Sequence, residues 1–359
     1  MTKEIRRSVH NSGVAIKNFF LWVPKSTKHF FDEIPTSLGH FKSWVFTFRG
    51  GLTLACLIAL ILFPLITQDS YYMIILITAM IYAILSASWD FLAGYAGQVS
   101  FGHSVFFGIS GYATAIFISF YGYPWPLALL IGGLMAVVFG LLIGIPSLRL
   151  KGPYLALATL AFSLILMNLF IMPSFPYGGT DGITGLPALS PDLLVSFFIV
   201  LGFMLFTVTF LHAVADSKTG TILKSIRDDE ISAESSGINT TKYKLVAFMI
   251  SAFFAGIAGS LYVLNFRGVN PAVYQPLYSF YAIVMAAIGG IATISGAIIG
   301  SFFFILFGEF ISRYVPFLGE ASLLIFAIIL IIIIVLADKG MMNPVIENLK
   351  KLYDLLKKR

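Results

Sequence analysis

Charged residues and cysteine are scarce in this sequence. Only 11% of the 359 residues are charged and one is a cysteine, whereas 58% are hydrophobic. An average soluble domain has about 25% charged residues. Because a soluble fold would leave much of this apolar surface in contact with water, a soluble globular protein is excluded. The chain is expected to fold in a lipid bilayer.

The sequence also lacks the motifs of common enzyme and metal chemistry. It contains no H-E-x-x-H and no cluster of cysteine and histidine, and the dipeptide Gly-Lys of the phosphate-binding loop never occurs. The lone Cys56 excludes an intrachain disulfide. We therefore expect no metal, no cofactor and no covalent catalysis in this chain. Any ATP that drives its function is expected to bind to another chain.

Ten apolar runs of roughly membrane-spanning length follow a polar N-terminal arm. They occupy 51–67, 71–93, 100–120, 125–148, 153–173, 192–214, 244–264, 277–291, 294–314 and 321–337. This pattern predicts an all-α, polytopic integral membrane protein of about ten transmembrane helices. It divides the chain into an arm at 1–49, a transmembrane domain at 50–338 and a basic tail at 339–359.

The distribution of lysine and arginine predicts the orientation, since loops rich in these residues stay in the cytoplasm. With the N-terminus inside, the cytoplasmic segments contain 21 of the 23 basic residues, and only Arg267 and Arg313 fall on the opposite side. Both termini and the largest loop between spans, 215–243, are therefore expected in the cytoplasm. The net charge of +6 follows from this topology, so we expect no nucleic-acid partner.

The N-terminal arm, residues 1–49, combines eight basic residues with scattered aromatic ones and lacks the layout of a signal peptide. We expect it to remain on the mature protein. A segment that lies in the lipid headgroup region suits this composition. A loosely ordered tail suits it equally well, and both interpretations stay open.

Glycine and polar residues are concentrated in residues 94–111, at or near membrane depth. Glycine weakens a helix and frees backbone groups that hydrocarbon does not satisfy. We therefore predict a broken or re-entrant segment near 94–103 that lines a cavity, where free N–H groups suit a carboxylate. The alternative is a tight packing loop between two spans. The candidate substrate-path residues are Tyr95, Gly97, Gln98, Ser100, Gly102 and His103.

A second glycine-interrupted stretch lies at 289–300, in the other half of the chain. Paired interruptions of this kind are typical of a translocation path. Asp90 and Glu309 are the ionisable residues furthest inside apolar runs, where a charge costs about 2.5–3.5 kcal/mol. For Asp90 we expect either a pair with His103 or a position at the membrane interface.

The loop 215–243 carries the features of a short helix. Asp228 suits the N-cap, Asp229 and Glu230 suit the positive first turn, and Gly237 suits the end. A two-turn helix held parallel to the membrane is a good docking surface for a cytosolic partner, and an ordinary charged loop is the alternative. The candidate coupling residues are Arg227, Asp228, Asp229, Glu230 and Gly237.

Several segments also carry a family resemblance, in the same order along roughly 70–340. They are DFLAGYAGQVSFGH at 90–103, GPYLALATL at 152–160, GGTDGITGLP at 178–187, IRDDEI at 226–231 and FMISAFFAGIAG at 248–259. They closely resemble the permeases of ATP-binding-cassette importers for branched-chain amino acids, and look more like the longer permease of the pair. The arm lies outside this resemblance.

The resemblance implies alternating access in the cell or inner membrane of a bacterium or archaeon. It implies three kinds of partner besides the bilayer: a second homologous permease, two cytosolic ATPase subunits and an extracytoplasmic binding protein. Importers of urea or short amides are similar enough to stay open as alternatives. The coupling pattern of such importers, Glu-Ala-Ala, three residues, then Gly, is only partly kept. Ile231 stands six places before Gly237, and Glu230 one place earlier.

Two other classes of function compete with this interpretation. An ion-coupled secondary transporter would need no ATPase and would take up its substrate alone under an ion gradient. A membrane-embedded enzyme would need a nucleophile with its base, or a set of metal ligands, inside the spans. The sequence offers only isolated polar residues there.

Overall fold

The computed structural model of the protein describes residues 58–67, 69–148, 150, 152–172, 179–314 and 328. The predicted arm and tail lie outside the described residues, as does the last predicted span except for residue 328. The first predicted span is described from residue 58, and residues 58–66 are helical.

Between residues 70 and 314 the described chain forms ten α-helices. They are α1 (Ser70–Asp90), α2 (His103–Ser119), α3 (Trp125–Ser147), α4 (Pro153–Ile171), α5 (Leu193–Asp216), α6 (Lys218–Asp228), α7 (Glu230–Ser235), α8 (Thr240–Phe266), α9 (Pro276–Gly289) and α10 (Ile294–Tyr314). Helix α1 continues as a π-helical turn, Phe91–Tyr95, and a 3₁₀ turn, Pro271–Tyr274, precedes α9. Two short strands, β1 (Ile183–Thr184) and β2 (Gly268–Val269), pair antiparallel.

Six of these helical segments are long and apolar enough to cross a membrane. They are Ser70–Tyr95, Trp125–Ser147, Pro153–Ile171, Leu193–Asp216, Thr240–Phe266 and Ile294–Arg313. Helices α2 and α9 are also apolar but shorter, at 17 and 14 residues. The eight predicted runs from 71–93 to 294–314 each coincide with one of these helices. The prediction of an all-α, polytopic membrane protein is therefore confirmed.

Helix α8 lies at the centre of the bundle and packs against α1, α2 and α3. Glycine permits two of these close approaches. A Cβ at Gly256 would lie 2.6 Å from the Cβ of Ala136 on α3, and a Cβ at Gly259 would overlap the Phe107 carbonyl oxygen on α2. Because lipid provides no hydrophobic driving force between helices, close contacts of this kind hold the bundle together through dispersion forces.

The bundle has two ends that differ in structure. Helix α5 ends at Asp216 and α8 begins at Thr240, so α6 and α7 lie at one end, here called the loop end. Strands β1 and β2 lie at the other, the sheet end, where Ile183 pairs with Val269. Helix α1 finishes at the loop end, because the Lys224 ammonium of α6 lies 5.3 Å from the centre of the Tyr95 ring.

Candidate functional site

Helix α1 does not run straight on into α2. Its last turn widens into the π-helical turn, and the Gln98 N–H donates to the Leu92 carbonyl at 3.1 Å. Gly97 then takes a left-handed φ of +67°, which glycine adopts without steric penalty. The indole N–H of Trp89 donates to the Ser100 carbonyl at 2.8 Å and folds the non-helical residues back along α1. The predicted break near 94–103 is therefore present.

The start of α2 lies well inside the bundle. His103 Nε2 is 2.8 Å from the Ser251 hydroxyl, which donates to the Ser88 carbonyl at 2.7 Å. Because that hydroxyl has one hydrogen, Nε2 is the donor to it. Ser251 lies about 16 Å along α8 from Thr240, at 1.5 Å per residue. Residues 97–102 therefore lead from the loop end into the bundle.

Asp90 does not pair with His103, so that expectation is wrong. Its Oδ1 accepts a hydrogen bond of 2.7 Å from the Ala292 N–H, while His103 bonds to Ser251. The residue is fully buried inside the bundle, and its depth relative to the membrane interface stays a prediction. The reason is tertiary: Ala292 belongs to the break at 290–293 between α9 and α10, which packs against α1.

The two predicted interruptions meet at this point. A Cβ at Gly94 would lie 2.6 Å from both the Cα and the N of Ala292, so only glycine fits without displacing the neighbouring backbone. Ala292 itself has a φ of +64°, which is uncommon for a residue with a Cβ. Two chain breaks from opposite halves of the sequence thus form one contact, buried on the Gly94 side and partly buried on the Ala292 side.

The predicted coupling helix is really two helices, α6 and α7. Asp228 is the last residue of α6, and the N-cap of α7 is Asp229, whose carboxylate accepts from the N–H groups of Ile231 and Ser232 at 3.0 and 3.1 Å. The predicted cap at Asp228 is therefore wrong by one residue. Asp228 instead binds the neighbouring Arg227 guanidinium at 2.9 Å, so its carboxylate pairs with an arginine rather than capping α7.

Gly237 ends α7, as the sequence predicts. Its φ is +84°, its N–H donates to the Glu234 carbonyl at 2.9 Å, and the Ile238 N–H donates to the Ala233 carbonyl at 3.1 Å. This pair of bonds is the usual glycine-terminated helix end, which satisfies the last free carbonyls.

Arg227 connects α6 to the broken segment. Its Nη1 donates to the Gly94 carbonyl at 2.7 Å, inside the π-helical turn. A Cβ at Gly97 would lie 2.9 Å from the Cγ of Arg227, so the arginine stem rests on the bare Gly97 backbone. Arg227 therefore joins α6 to the break after α1 through one hydrogen bond and one packing contact.

A cleft of about 620 Å³ opens between the broken segment, the start of α4 and the coupling helices. The predicted residues in its wall are Gly97, Gln98, Arg227, Asp228, Asp229 and Glu230. Its apolar wall includes Val99, Phe101, Leu155 and Leu157. Path and coupling candidates that are distant in the sequence thus line one cleft, with charges of both signs beside an apolar surface.

Five predicted residues lie outside the wall of this cleft. Tyr95 is buried under Lys224, and His103 is buried against α8. Ser100 is buried and accepts a hydrogen bond from the Gly102 N–H at 3.2 Å. A Cβ at Gly102 would lie 2.7 Å from the Thr159 carbonyl oxygen. Gly237 is exposed at the end of α7. In this conformation the first four shape the segment behind the cleft.

Sequence reasoning missed Lys244, which lines the cleft and pairs with Glu230 at 2.6 Å. The available signal was a lysine at the start of an otherwise apolar span. It also missed Thr159, whose hydroxyl accepts the Phe101 N–H at 3.0 Å and holds the broken segment against α4. Glu309, one of the two deep acids in the sequence, is only partly buried and accepts a hydrogen bond from the Tyr71 hydroxyl.

The bundle consists of apolar helices, and two of its chain breaks are in contact. A polar cleft lies beside short amphipathic helices at one end. These features define a polytopic membrane protein of the transporter type. The family described as "Branched-chain amino acid transport system / permease component" matches residues 71–334. The chain belongs to this family.

Two curated relatives are similar over much of the chain. The high-affinity branched-chain amino acid transport system permease protein LivM of Escherichia coli (strain K12) is 26% identical over 300 residues, which cover 76% of this chain and 70% of the relative. A probable branched-chain amino acid transport permease protein LivM of Methanocaldococcus jannaschii is 24% identical, over 48% of this chain and 52% of the relative. Among solved structures, PsaBC from Streptococcus pneumoniae in complex with Fab is 16% identical with a TM-score of 0.42, covering 77% of this chain and 95% of that chain.

Proposed function

We propose that this chain is the translocating permease subunit of an ATP-driven importer for branched-chain amino acids. The support is the family match over 71–334 and the two curated relatives, whose names specify branched-chain amino acid transport. The proposed location is the cell membrane of a bacterium or archaeon, with the loop end and both termini in the cytoplasm. The chain performs no covalent chemistry in this scheme.

The proposed complex contains three kinds of partner besides lipid. A second, homologous permease completes the path, two cytosolic ATPase subunits hydrolyse ATP, and an extracytoplasmic binding protein delivers the substrate. The sequence has no phosphate-binding loop of its own. The free energy of ATP hydrolysis therefore has to enter through contact with another chain.

The observation that carries the mechanism is the hydrogen bond from Arg227 of α6 to the Gly94 carbonyl. An ATPase that closes against α6 and α7 displaces Arg227, and the displacement reaches the break after α1 without an intervening flexible loop. The break then moves relative to α2 and opens or closes the route past residues 97–102. Substrate shifts this equilibrium only by binding its two states with different affinities.

The cleft is the proposed cytoplasmic mouth of the path. Gly97 and Gln98 contribute backbone and amide groups, while Val99, Phe101 and Leu157 contribute an apolar surface. A branched-chain amino acid presents the same combination, a charged head and an aliphatic side chain. Tyr95, Ser100, Gly102 and His103 are proposed to hold this wall in shape from behind.

The test is purification in mild detergent, identification of the co-purifying chains, and reconstitution of the complex with its binding protein in liposomes. We expect ATP-dependent uptake of leucine, isoleucine and valine. Uptake of urea or acetamide in their place would assign the alternative substrate class. Uptake by this chain alone under a sodium or proton gradient would refute the ATP-driven importer.

A further inference from the structure

Asp90 is a fully buried carboxylate that the proposed path does not use. It lies at the end of α1, and one of its oxygens accepts the Ala292 N–H at 2.7 Å. Its other oxygen has no hydrogen-bond partner among the residues that the structure describes. A buried carboxylate is costly, so its retention between two helices calls for a specific role.

The Ala292 N–H lies just before the first turn of α10, which begins at Ile294. The first N–H groups of a helix have no partner within the helix, and the helix dipole favours negative charge beside them. Other carboxylates in the described chain cap the helix that directly follows them, as with Asp192 before α5. For α10 the carboxylate comes from a different helix, so it joins the start of α10 to the end of α1.

Gly94 contacts both sides of this junction. Its Cα faces the Ala292 backbone, where a Cβ would lie 2.6 Å from the Ala292 N and 2.8 Å from Asp90 Oδ1. Its carbonyl accepts the hydrogen bond from Arg227. One residue of the π-helical turn is thus held by the coupling helix α6 and by the break before α10.

We propose that Asp90 is a positioning residue that fastens the start of α10 to the π-helical turn, so that a displacement of α6 moves both chain breaks together. This inference rests on the proposed function and adds α10 to the moving parts. When α6 moves, Arg227 displaces the π-helical turn through its hydrogen bond to the Gly94 carbonyl. The hydrogen bond between Asp90 and Ala292 then moves the break at 290–293 together with that turn. Without Asp90 the two breaks move independently, and ATP hydrolysis is no longer matched to substrate passage.

The experiment compares Asp90→Ala and Asp90→Asn in the reconstituted complex, measuring substrate taken up per ATP hydrolysed. We expect Asp90→Ala to lower this ratio by about threefold to tenfold, which lies within the range measured for mutations that modulate coupling between sites. Asp90→Asn keeps an acceptor for the Ala292 N–H and is expected to recover part of the ratio. Gly94→Ala disturbs the same contact, because its Cβ would collide with the Ala292 backbone, and it is also expected to lower the uptake per ATP.

Asp192→Ala is the matched control, because it also removes a carboxylate from a helix start, where Asp192 accepts the Leu194 N–H at 2.9 Å. It is expected to leave uptake per ATP unchanged. An unchanged ratio in Asp90→Ala would overturn the inference. If Asp90→Ala fails to assemble, a Gly94→Ala complex with the wild-type ratio overturns it instead. A wild-type complex without ATP-driven uptake would refute the proposed function separately.

Discussion

Lys244, near the start of α8, and Glu230, the first residue of α7, form an ion pair with an Nζ–Oε2 distance of 2.6 Å. The Lys244 side chain is only 6% exposed, and that of Glu230 is 29% exposed. The pair therefore fastens the short helix α7 to α8, the central helix of the bundle. Removing one partner of a largely buried pair is costly, because it leaves the other charge uncompensated.

We expect Lys244→Met to weaken the attachment of α7 by about 1–3 kcal/mol, between the values for exposed and fully buried pairs. Methionine keeps the length of the side chain but leaves Glu230 unpaired. The measurement is substrate-stimulated ATP hydrolysis in reconstituted complexes of matched stoichiometry. The double variant Lys244→Met with Glu230→Gln leaves no unpaired charge and is expected to lie closer to wild type. Equal impairment of the single and double variants would contradict the pairing role.

Gly237→Val is expected to distort the end of α7, because its φ of +84° is unfavourable for a β-branched residue by about 1–2 kcal/mol. No heavy atom lies within 4 Å of a Cβ at this position among the described residues, so the effect comes from the backbone alone. We expect normal membrane insertion and weaker ATPase association. Gly237→Asn is the control, since asparagine tolerates this conformation. Equal ATP hydrolysis and uptake in the wild type, Gly237→Val and Gly237→Asn would show that the end of α7 has no role in coupling.

Gln98 provides a sharper test of the path than Gly102. Gln98 lies in the wall of the cleft, whereas a side chain at Gly102 would collide with the Thr159 carbonyl. We expect Gln98→Ala to raise the substrate concentration for half-maximal uptake while the complex assembles normally. Gly102→Leu is expected to reduce the amount of assembled complex. Normal uptake kinetics in Gln98→Ala would place the substrate route elsewhere.

Deletion of residues 2–40 is expected to leave transport largely preserved. The match to the permease family begins at residue 71, so the arm lies outside the part of the chain that matches the family. The measurement is uptake by complexes carrying the shortened chain, corrected for the amount assembled. A shortened chain that assembles normally but transports nothing would give the arm a function of its own.

The helical elements were predictable to within a few residues. The run at 125–148 became Trp125–Ser147, and the run at 294–314 became Ile294–Tyr314. The glycines that interrupt the helices were also visible, because hydrocarbon penalises unsatisfied backbone groups and makes each interruption conspicuous. The end of α7 at Gly237 was readable for a local reason, since a left-handed residue strongly favours glycine.

The partners of the polar residues were not predictable in the same way. Asp228 and Asp229 are adjacent carboxylates, and only the bend between α6 and α7 makes Asp229 the cap and leaves Asp228 to Arg227. The ion pair between Lys244 and Glu230 depends on how the connecting turn folds back onto α8. The sequence around a lysine at the start of an apolar span does not indicate which acidic residue pairs with it.

The sequence by itself determined that the protein folds in lipid, where its helices lie and where they break. The reason is that the length of each apolar run and the position of each glycine act on the local backbone. Only the tertiary structure decided that Asp90 binds Ala292 rather than His103, and that Arg227 reaches Gly94. These contacts join residues more than a hundred positions apart. They depend on the rotation and depth of each helix in the bundle, which are set by packing against neighbouring helices rather than by any local pattern.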